Sequence, residues 1–265
     1  MAEETLRDAP LPYKVWGTDY IDEGSRIQMD VAMRLPVSVA GALMPDAHVG
    51  YGLPIGGVLA VEDAVIPYAV GVDIACRIRV SIFDVSPIVL NQKTAQFKKT
   101  LETETKFGTG GKWDRNQQPE HEVLDDPDWK ATYLLRSLQS KAYDQIGTSG
   151  TGNHFVDWCA LTLEKEDQEL GLKAGNYLAL MSHSGSRGVG YQIADHYSPL
   201  AQQMHPHLDK SVRHRAWPPM TWAESKKYWL AMNLAGRFAH ANHEVIHRKV
   251  AKAVGLKPVA VVENH

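Results

Sequence analysis

Short apolar runs separated by Gly- and Pro-rich turns dominate the first third of the chain. Residues 41–63, GALMPDAHVGYGLPIGGVLAVED, are apolar and dense in Gly and Pro. This composition predicts short strands joined by tight turns. Residues 64–85 contain further strand-like runs, and the alternation of Ile78, Val80 and Ile82 predicts a strand with one buried face. Residues 1–35 are predicted to form an entry segment, and strands are predicted within residues 41–85.

Helical periodicity is stronger in the later segments, where strands and helices alternate. Apolar spacing predicts helices over residues 91–107, 129–146 and 221–256. Between them, the pattern predicts strands after the Gly-rich turn at residues 147–154, near residue 180 and over residues 257–265. The polar segment 108–129 has the composition of a long loop and suits a mobile lid. We predict an α+β fold in one domain spanning residues 1–265.

Composition favours a globular protein with a sizeable core. The 265 residues are 44% hydrophobic and 22% charged. No run reaches the roughly 18 apolar residues of a membrane-spanning helix, and the N-terminus lacks a signal-peptide core. Two cysteines, Cys76 and Cys159, cannot build a disulfide framework, which favours a reducing compartment. We expect a cytoplasmic protein with no membrane partner.

Positive charge is concentrated toward the C-terminal end. Residues 203–265 contain ten Lys and Arg against four Asp and Glu, whereas the rest contains eighteen against twenty-seven. Such an excess favours a polyanionic partner, although a solvated basic helix face would have the same charge. A non-catalytic RNA- or nucleotide-binding module is therefore one alternative for the function.

Polar side chains with metal-binding chemistry follow the predicted strands. Asp73 and Cys76 lie in GVDIAC, and Asp46 and His48 lie in PDAH. Carboxylate and thiolate are both anionic ligands, and a thiolate can bridge two cations, although a buried cysteine also packs as a small apolar residue. Asp46 is assigned a catalytic role as a base near the metal, with a structural turn as the alternative.

Two Gly-rich segments have the composition of phosphate-binding turns. Residues 147–155, GTSGTGNHF, would let backbone N–H groups approach phosphate oxygens, with Asn153 and Asp157 available for a base or ribose. Residues 183–188, HSGSRG, offer two hydroxyls and Arg187, which can bind phosphate bidentately. A satisfied core histidine in the first segment and a Ser-capped helix in the second are the structural alternatives.

The segment HEVIH, residues 243–247, matches the H-E-x-x-H pattern of zinc metalloproteases on a predicted helix. His243 and His247 would share a helix face as zinc ligands do, with Glu263 or His265 as a third ligand. The pattern leaves the Gly-rich turns unexplained, so a zinc metalloprotease acting through His243, Glu244 and His247 is the other alternative.

Four motifs, taken in order, resemble the RtcB family of RNA ligases. They are PDAHVGYGLPIGG, GVDIACRI, GTSGTGNHFVDW and SHSGSRGVG, and the helical segment AMNLAGRFAHANHEVI also resembles the family. The resemblance extends from about Pro45 to the end of the chain. It implies an α+β fold with mainly antiparallel sheets in a sandwich and helices outside.

The resemblance also implies two manganese ions. Asp73, Cys76, His154 and His183 fall on the family's metal-ligand positions, and His265 lies at or beside another. Cys76 would then be a thiolate shared by both ions. Because manganese prefers harder ligands, imidazole and carboxylate groups must compensate for the sulfur.

Further positions resemble the family's nucleotide and RNA contacts. Asn153 matches a position that contacts GTP, and Asp157 stands where the family usually has Glu. Arg187 would suit the terminal phosphate of the RNA. The implied cofactors are therefore manganese and GTP, and the implied partner is tRNA or another cleaved RNA.

The family's reaction joins an RNA 2′,3′-cyclic phosphate or 3′-phosphate end to a 5′-hydroxyl end through a histidine–GMP adduct. The nucleophilic histidine of the family lies in a Ser-His-Gly-Ala-Gly-Arg segment, which this sequence does not contain. We expect that a C-terminal part of the family domain is missing from this chain. The chain is then a fragment of a longer ligase, one part of a split protein whose other part is supplied in trans, or a metal-binding relative that has lost ligation. We also expect that the 265 residues alone do not ligate RNA.

Overall fold

The computed structural model describes residues 5–264. The chain divides into two compact units, one running up to Val72 and including Gln192–Met232, the other comprising Asp73–Tyr191 and the chain from Asn233 onward. Helices combine with mainly antiparallel strands, which confirms the predicted α+β class. The sandwich arrangement and the single domain over residues 1–265 stay predictions.

Seven strands and eight α-helices are found in the described residues. The strands are β1 (Lys14–Val15), β2 (Ser38–His48), β3 (Ile55–Val61), β4 (Arg77–Phe83), β5 (Phe155–Leu163), β6 (Gly175–Ser184) and β7 (Ala260–Asn264). The helices are α1 (Glu23–Met33), α2 (Pro67–Val70), α3 (Val89–Gln92), α4 (Thr94–Glu104), α5 (Tyr133–Gln145), α6 (Arg187–Met204), α7 (Lys210–Arg213) and α8 (Ala223–Ala253). None of the helices in residues 5–264 is long and apolar enough to cross a membrane.

The first unit contains a three-stranded sheet in the order β1-β2-β3, in which β2 and β3 are antiparallel. Helix α1 begins after Asp22, whose side chain accepts a hydrogen bond from Ser25 N, a favourable N-cap. Met29 and Met33 of α1 are fully buried and share an apolar cluster with Leu43 of β2. The predicted strands and turns of residues 41–63 therefore form a hairpin covered by a helix.

The second unit contains an antiparallel sheet in the order β5-β6-β4-β7. Phe83, Leu178 and Leu180 of this sheet are fully buried with Ile246 and Val250 of α8. Burial of large apolar side chains between a sheet and a helix is the main stabilising contribution in such a layer. The core therefore fixes α8 against the sheet that carries the predicted metal ligands.

The strand register brings three chain segments to one edge of this sheet. Strand β6 is antiparallel to both β4 and β5, so its end lies beside the beginnings of those two strands. His183 is in register with Ile78 of β4 and with Phe155 of β5. Cys76, immediately before β4, and His154, immediately before β5, therefore lie at the same edge as His183.

The segment 108–129 is an irregular loop with short 3₁₀ turns, as its composition predicts, and it is packed against its own unit. Its role as a mobile lid stays a prediction. Trp113 and Trp129 are buried, and their indole N–H groups donate to the carbonyls of Ile146 and Val123. Arg237 of α8 forms ion pairs with two carboxylates of the segment, those of Asp126 and Asp128. These apolar and ionic contacts hold the loop in place.

Candidate metal centre and Gly-rich loop

The acid and the thiol of GVDIAC lie at the two ends of one tight turn. Cys76 N donates a hydrogen bond to the Asp73 carbonyl at 3.1 Å. Ala75, between them, has a φ of 60°, in the left-handed region. A non-glycine residue in this region costs on the order of 1–3 kcal/mol, and such strain is concentrated at functional sites. The turn thus places a carboxylate and a sulfur side by side before β4.

Four of the predicted ligands converge at the sheet edge. The ligand atoms of Asp73, Cys76 and His154 all lie within 4.8 Å of one another. Asp73 Oδ2 is 2.9 Å from His154 Nε2, and Cys76 Sγ is 3.6 Å from the same nitrogen. His183 Nε2 lies 2.9 Å from Cys76 Sγ. The sulfur is therefore shared by two groups of predicted ligands, one formed with Asp73 and His154 and the other formed with His183.

One ring nitrogen of His154 is held by the backbone, and the other faces the cluster. Nδ1 lies 3.1 Å from the Ser149 carbonyl, which only accepts, so Nδ1 donates this hydrogen bond. Nε2 lies 2.9 Å from Asp73 Oδ2 and 3.6 Å from Cys76 Sγ. Imidazole nitrogen, carboxylate oxygen and sulfur are all ligands of transition-metal ions, and a backbone carbonyl is a common partner for the second nitrogen of a metal-ligating histidine. The donor set therefore fits a bound metal ion.

The electrostatics of the cluster favour neutral groups when no cation is present. Burial raises the pKa of the Cys76 thiol to about 12, and the negative charge of Asp73 adds to the effect. Burial also lowers the pKa of His183, with neighbouring His154 acting in the same direction. A thiol in this setting becomes a thiolate only beside a strong positive charge, which a metal ion supplies.

Glycines allow the close approach of the elements at this edge. Gly150 has a φ of 113°, and a Cβ there would collide with the Arg187 guanidinium and with His154 Nδ1. A Cβ on Gly185 would collide with the Asp73 carboxylate. Larger residues at these two positions would push the ligands apart.

Arg187 is the cation beside the Gly-rich loop. Its Nε donates to Thr148 Oγ1 at 3.2 Å, and burial lowers the pKa of the guanidinium while Asp73 opposes the shift. A half-buried guanidinium next to exposed backbone of a Gly-rich turn suits binding of a phosphate group. The predicted phosphate-binding role of Arg187 is compatible with this position and stays a prediction.

Three other predicted site residues in the described part of the chain, Asn153, Asp157 and Asp46, are exposed. Asn153 and Asp157 flank His154, and the Asn153 backbone hydrogen-bonds to His183. Asp46 lies near the end of β2 in the first unit, where its carbonyl is 2.9 Å from His48 Nδ1. The nucleotide roles of Asn153 and Asp157 and the catalytic role of Asp46 stay predictions. His265 lies outside the described residues.

The HEVIH segment is not a zinc site, and the metalloprotease alternative is wrong. His243 Nδ1 lies 2.5 Å from Ser182 Oγ, and His243 Nε2 lies 3.1 Å from the Ser184 carbonyl. His247 Nε2 lies 2.8 Å from Ser182 Oγ, and its Nδ1 lies 2.7 Å from Ser81 Oγ. All four ring nitrogens therefore have hydrogen-bond partners, and none is available to a metal.

Three residues that the sequence motifs do not single out contact the segments that carry the predicted ligands. Ser149 and Ser184 lie in the two Gly-rich segments, and Asn242 directly precedes the HEVIH pattern. Asn242 is fully buried and hydrogen-bonds to the Gly-rich loop. A lone Asn among the apolar positions of an amphipathic helix is a signal that would have identified it, because a buried amide needs partners.

Comparison with known proteins gives a consistent family match. The family model described as tRNA-splicing ligase RtcB matches residues 28–132 and 126–260. An RNA-splicing ligase RtcB1 from Escherichia coli is 31% identical over 77% of this chain and 50% of its own length. A tRNA-splicing ligase RtcB from Nanoarchaeum equitans is 29% identical over 92% of this chain and 59% of its own length.

A third relative gives the same result. An RNA-splicing ligase RtcB homolog 1 from Entamoeba dispar is 28% identical over 84% of this chain and 48% of its own length. The chain thus spans about half the length of these relatives. Since the family model covers most of the sequence, including the turn before β4, the Gly-rich loop and the end of β6, the chain belongs to the RtcB family.

Proposed function

We propose that the chain provides the metal centre and part of the nucleotide site of a GTP- and manganese-dependent RNA ligase. The reaction joins an RNA 3′-phosphate or 2′,3′-cyclic phosphate end to a 5′-hydroxyl end, with the guanylate carried on a histidine outside this sequence. The observation that carries the proposal is the convergence of the Asp73, Cys76 and His154 ligand atoms within 4.8 Å. Family membership supports it, since relatives are named RNA- or tRNA-splicing ligases.

The donor set suits two divalent ions that share one sulfur. Asp73, Cys76 and His154 would hold one ion, and Cys76 and His183 would contribute to the other. Paired cations supply Lewis-acid stabilisation of charge on a reacting phosphate and its leaving oxygen. Sulfur and imidazole ligands also favour zinc, so the identity of the metal as manganese rests on the family.

The chain's own residues would prepare the site for that chemistry. The Ser149 carbonyl orients the His154 ring so that Nε2 faces the cluster. Burial lowers the pKa of His183, which favours the neutral ring that a metal ion needs. Arg187 would bind a phosphate oxygen beside the Gly-rich loop. Asn153 and Asp157 would contact the guanine nucleotide, and Asp46 would act as a base.

The test is ligation of a 3′-phosphate RNA to a labelled 5′-hydroxyl RNA, followed on a denaturing gel. The chain is assayed joined to the family segment that contains the nucleophilic histidine, and also alone. We expect a joined product that needs both GTP and Mn²⁺, its loss on Asp73→Asn, and no product from the 265 residues alone. The matched control is Asp84→Asn, an exposed acid of the same unit.

Two results would contradict the proposal. One is a joined chain that neither binds Mn²⁺ nor acquires a covalent guanylate from GTP. The other is RNA binding that is sensitive to salt but indifferent to metal and GTP, which would indicate a non-catalytic RNA-binding relative.

A further inference from the structure

We propose that Asn242 of α8 is a positioning residue for the metal centre. Its buried amide connects the Gly-rich loop to the end of β6, and these two segments carry His154 and His183. The inference rests on the proposed metal-binding function, and it adds a residue that touches neither metal nor substrate.

Both polar atoms of the Asn242 side-chain amide form hydrogen bonds with the backbone of the Gly-rich loop. Its Oδ1 accepts hydrogen bonds from Gly147 N at 2.8 Å and Thr148 N at 3.0 Å. Its Nδ2 donates to the Thr148 carbonyl at 3.0 Å. Three backbone groups of a turn that belongs to neither a helix nor a strand are therefore satisfied by one side chain.

The same amide reaches the end of β6. Nδ2 lies 3.3 Å from Ser184 Oγ and 3.5 Å from the Gly185 carbonyl, so its two hydrogens are shared among three acceptors. Ser184 directly follows His183, and its hydroxyl donates to the Ser149 carbonyl at 2.6 Å. The loop and the strand are thus joined twice, through Asn242 and through Ser184.

The hydrogen bonds that begin at Asn242 lead to His154, a proposed metal ligand. The Ser149 carbonyl that accepts from Ser184 also accepts from His154 Nδ1. Because this bond sets the ring orientation of His154, a shift of the Ser149 carbonyl turns Nε2 away from Asp73 and Cys76. Partners that orient metal-ligating histidines affect metal affinity strongly even though they do not contact the metal.

No other side chain reproduces these contacts. Asn242 is 0% exposed, so a substitute cannot use water to satisfy the loop. Asp would keep the acceptor for Gly147 N and Thr148 N but lose every donated bond and bury a charge. Ala would leave the loop backbone without partners, and the loop would have to rearrange.

The experiment measures Mn²⁺ affinity of the folded chain from the electron paramagnetic resonance signal of free Mn²⁺. We expect Asn242→Ala to weaken binding about 10- to 100-fold. A second readout is the thiolate-to-cobalt charge-transfer band after Co²⁺ substitution. Its position should change in Asn242→Ala because His154 moves while Cys76 stays.

The matched control is Val250→Ala, on the same helix and fully buried in the apolar core. It lowers the stability of the unit without touching the loop, so the Mn²⁺ dissociation constant should stay within about twofold of the wild type. If Asn242→Ala does not fold, Ser184→Ala tests the same path, because it cuts the link to the Ser149 carbonyl.

The outcomes separate this inference from the proposed function. If the wild-type chain joined to the family segment neither binds Mn²⁺ nor acquires a guanylate, the proposed function fails. If the wild type binds Mn²⁺ and folded Asn242→Ala has wild-type affinity and a wild-type cobalt spectrum, only the positioning role fails. In the double variant Asn242→Ala, Ser184→Ala, the loss should be smaller than the product of the single losses, since both act through one carbonyl.

Discussion

Two pairs of histidines in the second unit differ in how their ring nitrogens are used. His154 and His183 each direct Nε2 at Cys76, while a backbone carbonyl or backbone bond holds the other side of the ring. His243 and His247 have every nitrogen engaged by serine hydroxyls or a carbonyl. The candidate metal centre is therefore marked by a carboxylate, a thiol and two imidazoles that converge from distant parts of the chain, and not by helical spacing.

His243 and His247, whose ring nitrogens all have hydrogen-bond partners, have a structural role. Ser182 Oγ lies between the two rings, and Ser81 and the Ser184 carbonyl complete the chain of hydrogen bonds between α8 and the strands β4 and β6. Burial lowers the pKa of His243 to about 4 and that of His247 well below its ordinary value. Both rings are neutral at physiological pH, which lets them bridge serines in the core.

The largest expected effect is the loss of metal binding in Cys76→Ser. Cys76 Sγ is the atom shared by the two groups of predicted ligands, and a serine hydroxyl is a much poorer anionic ligand than a thiolate. We expect Mn²⁺ affinity to fall by more than about 1000-fold, beyond the 10- to 100-fold typical of residues that only orient ligands. That loss corresponds to about 4 kcal/mol, measured by calorimetric titration.

The chain provides its own control in Cys159→Ser. Cys159 is the other cysteine and lies within β5 away from the sheet edge that carries the ligands. Its substitution should leave Mn²⁺ affinity unchanged. Equal affinity losses in the two serine variants would show that the cluster at Cys76 is not where the metal binds.

The next effect concerns stability and the second pair of histidines. His247→Ala removes a buried ring, which leaves Ser81 without its ring partner and leaves Ser182 with His243 alone. We expect the free energy of unfolding to fall by about 3 kcal/mol, from the cavity and the lost hydrogen bonds together. Urea unfolding followed by circular dichroism measures it. Mn²⁺ affinity of the folded variant should stay within a few-fold of wild type, and its abolition would mean that α8 holds the metal.

The sequence was sufficient for the broad fold because local patterns agreed with tertiary packing there. The alternation of Ile78, Val80 and Ile82 correctly predicted β4, and the periodicity of residues 221–256 correctly predicted α8. The segment 108–129 is the long loop that its composition predicts, but the burial of Trp113 and Trp129 was not predictable, because each is an isolated apolar residue in a polar segment. Isolated anchors of this kind leave no periodic signal.

The site was predictable only in its ligand types. Asp73 and Cys76 are separated by two residues, but their approach to His154 and His183 depends on the antiparallel register of β6 with β4 and β5. Register is set by long-range pairing, which one sequence does not display. In the HEVIH segment the opposite holds. The spacing of His243 and His247 matches that of zinc ligands, but serine hydroxyls and a backbone carbonyl form hydrogen bonds with all four ring nitrogens.

A smaller effect is the dependence of stability on pH that comes from the buried pair. The folded-state pKa of His243 is about 4, below its ordinary value of 6.5, so the unfolded state binds the proton first. Stability is complete above pH 6.5 and is lost as the pH falls toward 4. For His243 alone, unfolding free energy should fall by about 2 kcal/mol between pH 6.5 and about 5.

Urea unfolding at several pH values checks this dependence against two variants. His243→Gln should flatten the slope in that window, whereas His207→Gln, an exposed histidine of the first unit, should not. Glu263 contributes separately, since hydrogen bonds from Arg77 and His240 outweigh its burial and lower its pKa to about 2. Its stabilisation is lost only below about pH 4.5. A slope unchanged in His243→Gln would contradict the neutral buried ring.

The smallest effect is expected for Glu244→Gln, although a metalloprotease would depend on this residue as its general base. Its carboxylate is 38% exposed and lies 3.0 Å from His121, 3.6 Å from Arg79 and 3.7 Å from His240. Exposed ion pairs of this kind contribute under about 1 kcal/mol, so unfolding free energy and Mn²⁺ affinity should barely change. Neither protein should hydrolyse peptides. Peptide hydrolysis that Glu244→Gln abolishes would require metal at His243 and His247, and that is impossible while Ser81, Ser182 and the Ser184 carbonyl occupy their nitrogens.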